Sequence, residues 1–105
     1  MTDWTKVRDA TIEAAKKSLG LAWGAAAGTA VAQISGLVAV AKYIDDNKAS
    51  LTVENYQHLI RLQKTALEDA LSGIEMIGIT AAQNAAAAAM DVLIQALPGL
   101  LLAAI

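Results

Sequence analysis

From Asp3 to Asp46 the apolar and polar positions show no period-two alternation and no proline intervenes, so the stretch is expected to be one long helix over 3–46. Thr2 stands where an N-cap is wanted, and Trp4, Val7, Thr11, Ala14 and Ser18 form a weakly apolar stripe with the charges opposite. The run "YIDDNKAS" then gathers Asp, Asn and Ser, whose side chains compete with the helix for backbone hydrogen bonds, and predicts a turn over 47–51. A second helix follows over 52–97, capped by Thr52, with Leu51 and Tyr56 placed to staple its start. Pro98 and Gly99 end it, leaving a short apolar tail over 98–105.

Along the second helix, Val53, Tyr56, Ile60, Gln63, Leu67, Ala70, Ile74, Ile77, Ala81, Asn84, Ala88 and Asp91 follow steps of three and four. Such a heptad seam packs helix on helix, and the polar Gln63, Asn84 and Asp91 within it either set register or mark an exposed face. Two helices of similar length, each roughly 65–70 Å at 1.5 Å per residue, predict an all-α fold: an antiparallel hairpin or a splayed pair, in one domain over 1–105.

Gly20, Gly24, Gly28, Ala32 and Gly36 recur every fourth residue on one side of the first helix. Each glycine costs roughly 0.8–1 kcal/mol relative to alanine inside a helix, so four of them call for compensation. Close backbone approach supplies it, and small residues at this spacing are the packing face of many membrane helices. The same stretch carries no charge over 18–41, which is 24 residues, enough to cross about 30 Å of hydrocarbon. A second apolar block over 76–105 is broken only by Asp91. Folding the chain about residue 48 sets 20–41 beside about 56–77, which is charged, so one hairpin cannot offer lipid a continuous apolar band. The helices must then splay or associate with other copies.

Composition sharpens this picture. Hydrophobic residues make up 56% and charged residues 17%, below the roughly 25% charge of an ordinary soluble domain. Alanine supplies 24 of the 105 residues and phenylalanine none, which favours close helix contact over a bulky core. There is no cysteine, hence no disulfide or thiolate chemistry. The formal charge of −2, without a basic run, argues against nucleic acid. The N-terminus lacks the apolar core of a cleavable signal peptide. Lys and Arg are split four and four around the two sides of the first apolar block, so charge does not choose an orientation.

Catalytic chemistry has little to build on: His58 is the only histidine, and Glu54, four residues before it, is its one obvious partner. No catalytic residue, metal site, cofactor or small-molecule substrate is expected. Trp4 and Trp23 are candidate interfacial anchors, and Asp91 is a candidate intramembrane or lumen carboxylate. The expectation is a non-enzymatic, self-associating helical protein that inserts in or lies against a membrane as a homo-oligomer contacting lipid, membrane-associated or secreted without a cleavable signal. The alternative is a soluble filament or sheet of helical hairpins.

Overall fold

The first helix reverses at its first glycine. In the computed structural model, which describes residues 3–47 and 49–96, α1 spans Trp4–Leu19, a single 3-10 turn spans Gly20–Ala22, and α2 spans Trp23–Asn47. The chain then turns into α3, Val53–Ser72, and α4, Ile79–Ala96. The all-α class is as expected, but the two long helices of 3–46 and 52–97 are each cut in two. A straight helix from Trp4 to Asn47 would measure about 66 Å, whereas the molecule is 41 Å along its longest axis. Its radius of gyration, 13.2 Å, is that of a closed domain of this length.

The first cut is a matter of backbone geometry. Gly20 caps α1 with its N–H donating to the carbonyl of Lys16, then adopts φ 57° and ψ −123°, a conformation closed to residues with a Cβ. The chain thereby turns back on itself. The second cut is the linker from Gly73 to Gly78, two glycines enclosing "IEMI". Gly73 donates to the Asp69 carbonyl at 3.1 Å, Ile77 donates to Ile74 at 2.9 Å, and the buried Ile77 anchors the linker in the core. Residues 98–105, the expected tail, lie outside the described residues, as do Leu97 and Thr2.

Capping explains where the remaining ends fall. Asp3, rather than Thr2, caps α1: its carboxylate accepts from the N–H groups of Thr5 and Lys6 at 3.1 and 3.2 Å. Lys16 and Lys17 in the last turn complement the negative end of the α1 dipole. Thr52 caps α3 as its sequence suggests, accepting from Asn55 N–H at 3.1 Å, and Leu51 and Tyr56 both join the core beside it.

The four helices stand in a ring in chain order. α1 packs on α4 and α2, α3 packs on α2 and α4, while α2 and α4 face each other across the diagonal with little contact. Charge alternates around the ring. α1 and α3 are charged along their lengths, α2 carries no charge before Lys42, and α4 carries only Asp91. The two apolar helices are thus each flanked by two amphipathic ones. α2 contributes Ala26, Ala30, Ile34, Leu37, Val38, Ala41 and Ile44 to the core. Thr11, the one fully buried polar residue among those described, satisfies its hydroxyl by donating to the Val7 carbonyl at 2.7 Å.

The cut at 73–78 also corrects the seam. Tyr56, Ile60 and Leu67 are buried as the heptad predicts, but in α4 the buried set is Ala82, Ala85, Ala86, Ala89, Met90 and Leu93. The linker has advanced the register by one residue. Asn84 and Asp91 are therefore exposed rather than held in a seam, while Gln63 stays half-buried. On α1 the buried line is Thr11, Ala15 and Leu19, so the expected stripe drifts and Ser18 faces outward.

Candidate functional site

The outward face of α2 is the unusual surface of this molecule. Gly24, Ala25, Gly28, Thr29, Val31 and Ala32 are all exposed, and Ala39 continues them toward the far end. A Cβ added at Gly24 or Gly28 would meet nothing within 4 Å. These glycines are therefore not required by any contact among the described residues. Of the five small residues singled out by their spacing, Gly24, Gly28 and Ala32 lie on this open face. Gly20 belongs to the reversal, and Gly36 is half-buried, a Cβ there lying 3.8 Å from Gln63 Oε1 of α3.

Toward the C-terminal half of α2 the open face runs into a groove of about 230 Å³ shared with the start of α1. Trp4, Thr5 and Arg8 form one wall. Ser35, Val38, Ala39 and Lys42 form the other, one helical turn apart, so that α1 and α2 run antiparallel about the Gly20 turn. The groove holds an indole, two cations and two hydroxyl-bearing residues, and no carboxylate lines it. Arg8 touches Asp9 at 3.4 Å in an exposed pair of adjacent residues, an arrangement that contributes little. No ion pair engages Lys42 among the described residues.

Both tryptophans are half-buried and pack on the core, Trp4 at the groove and Trp23 beside the Gly20 turn. Asp91 is exposed on α4, and Glu54 and His58 are exposed on α3. Among the described residues no three of His, Cys, Asp or Glu gather as metal ligands. At the end of the bundle that carries both the Gly20–Ala22 turn and the 73–78 linker, Leu21, Met76 and Ile79 are 105%, 75% and 69% exposed.

The helical stretch Trp4–Asn47 is, by length and composition alone, long and apolar enough to cross a membrane. The reversal at Gly20 divides that stretch, and α2 alone, at 25 residues, holds most of the uncharged part. The groove was beyond reach of the sequence, because Arg8 and Lys42 become neighbours only once the chain folds back at Gly20. Comparisons with protein-family models, with curated proteins and with solved structures found no match.

Proposed function

We propose that this chain is a non-enzymatic helical subunit that lies against a membrane and associates with copies of itself through the outward face of α2. The observation that carries the reading is the exposed row of Gly24, Gly28 and Ala32, where a second backbone could approach without meeting a side chain of the described residues. Lying against the bilayer is favoured over insertion by the inner face of α2. Seven of its residues are in the core, and withdrawing it into lipid would strip α1 and α3 of their cover.

The closed core supports a second reading, a soluble bundle that assembles into a filament or sheet. Ala30, Ile34, Leu37, Ile60, Leu67 and Leu93 are fully enclosed without lipid, and no buried side-chain polar atom among the described residues lacks a partner. Density-gradient flotation with vesicles, beside sedimentation velocity without them, tests the choice. Co-flotation supports the membrane subunit. Large particles in buffer that ignore vesicles support the soluble assembly, and a monomer that ignores vesicles defeats both.

A further inference from the structure

We infer that the groove between the start of α1 and the second half of α2 binds the phosphate of an anionic phospholipid at the bilayer surface. The inference rests on the membrane reading above and names the lipid group met by that face. The argument begins with charge. Arg8 and Lys42 border a groove with no lining carboxylate, on the flank of a helix that carries no other charge from Trp23 to Ile44, Asp45 and Asp46 following in its last turn outside the groove lining. Two cations with an apolar helix face beside them suit an anion joined to an apolar body. Arg8 offers a planar fork of donors for phosphate oxygens, and Lys42 a mobile point charge. Ser35 and Thr5 add hydroxyls.

Size narrows the ligand. At about 230 Å³ the groove is below the roughly 300–1,000 Å³ of pockets that enclose whole drug-sized ligands, so it accommodates a head group and leaves the rest of the molecule outside. A lipid whose tails stay in the bilayer meets that condition. Trp4, half-buried in the groove wall, sits where an indole would occupy the head-group layer. Gly28, Val31, Ser35, Ala39 and Lys42 follow one another by threes and fours, so the groove and the chargeless strip share one side of α2 and can face the same plane. The Arg8–Asp9 pair is exposed on both members, and exchanging Asp9 for a phosphate costs little.

The test uses the full chain, vesicles of phosphatidylcholine with and without phosphatidylglycerol, and two double variants. Arg8→Gln with Lys42→Gln removes the groove cations. Lys16→Gln with Lys17→Gln removes the same charge from the opposite end of α1. Circular dichroism confirms that each retains its helices, as expected for exposed positions. The wild type should float with phosphatidylglycerol vesicles and shift its tryptophan emission to the blue. The groove variant should bind about 30-fold more weakly, the equivalent of about 1 kcal/mol per cation, and the Lys16/Lys17 variant within about threefold of wild type. Equal losses in both variants would reduce the effect to diffuse charge and overturn the groove. Vesicle binding unaffected by the groove substitutions would overturn it too, while leaving the membrane reading intact. A wild type that binds no vesicle would remove both. Free glycerol phosphate should not displace the protein from vesicles at millimolar concentration; displacement would make the site one for soluble phosphate esters and overturn the lipid assignment.

Discussion

α2 and α4 are close to the same helix by composition and differ in what they show to solvent. Both are rich in alanine, both bury an alanine-lined face across the ring, and each is screened by the charged α1 and α3. On the outside, α4 presents Thr80, Gln83, Asn84, Asp91 and Gln95, each able to hydrogen-bond with water. Over 24–32, α2 presents Gly24, Ala25, Gly28, Val31 and Ala32, with Thr29 alone offering a side-chain hydroxyl. α4 is thus finished as the fourth wall of a bundle. α2 has one face spent on the core and a second, nearly featureless over 24–32, that packs on nothing among the described residues. Glycine makes the point sharper, since a folded monomer would gain from alanine at Gly24 and Gly28.

The largest expected effect tests whether the inner faces are equivalent. Leu37 on α2 and Leu93 on α4 are both fully buried, so Leu37→Ala and Leu93→Ala should each lower stability by about 2–5 kcal/mol in urea unfolding. A loss confined to Leu93→Ala would mean that α2 does not belong to the core in solution, and the bundle would shrink to three helices.

Next in size are the glycines, which should split by position. Gly20→Ala forces a Cβ into the φ 57° conformation and should cost about 1–3 kcal/mol, chiefly by opening the α1–α2 reversal. Gly28→Ala fills empty space and should stabilise the monomer by up to about 1 kcal/mol. Gly28→Leu should leave the fold intact yet weaken self-association, read by sedimentation. A Gly28→Leu protein that assembles like wild type would leave the open face without a partner helix and end its contrast with α4.

That split also shows what could be read from the chain and what could not. The helical class, the turn after Asn47 and the Thr52 cap were legible because each depends on residues within one turn of itself. The breaks at Gly20 and at 73–78 were not. A glycine in an alanine-rich run reads equally as a packing notch or as a hinge, and the choice depends on burial gained by residues far along the chain. Ala15 and Leu19 reach the core only if the chain folds back, and Ile77 only if α3 stops at Ser72. The same nonlocal term moved Asn84 and Asp91 from the seam to the surface, because a linker of six residues need not preserve helical phase.

The smallest expected effect concerns Asp91, where the finished outer wall of α4 is most exposed to challenge. Asp91 is solvent-facing, and no ion pair engages it among the described residues. Asp91→Asn should therefore change stability by no more than about 0.5 kcal/mol, as for a surface position without special contacts. Vesicle binding should also stay within about twofold of wild type, because the proposed contact lies on α2, diagonally across the ring. A carboxylate embedded in an apolar layer behaves otherwise: it must face a wet lumen or a partner, and neutralising it changes what passes or what binds. Planar-bilayer recordings separate the cases. If wild-type protein conducts and Asp91→Asn alters its selectivity, α4 rather than α2 faces the membrane interior and the comparison is reversed. With binding intact and no conductance for either protein, α4 remains the wall and α2 the working face.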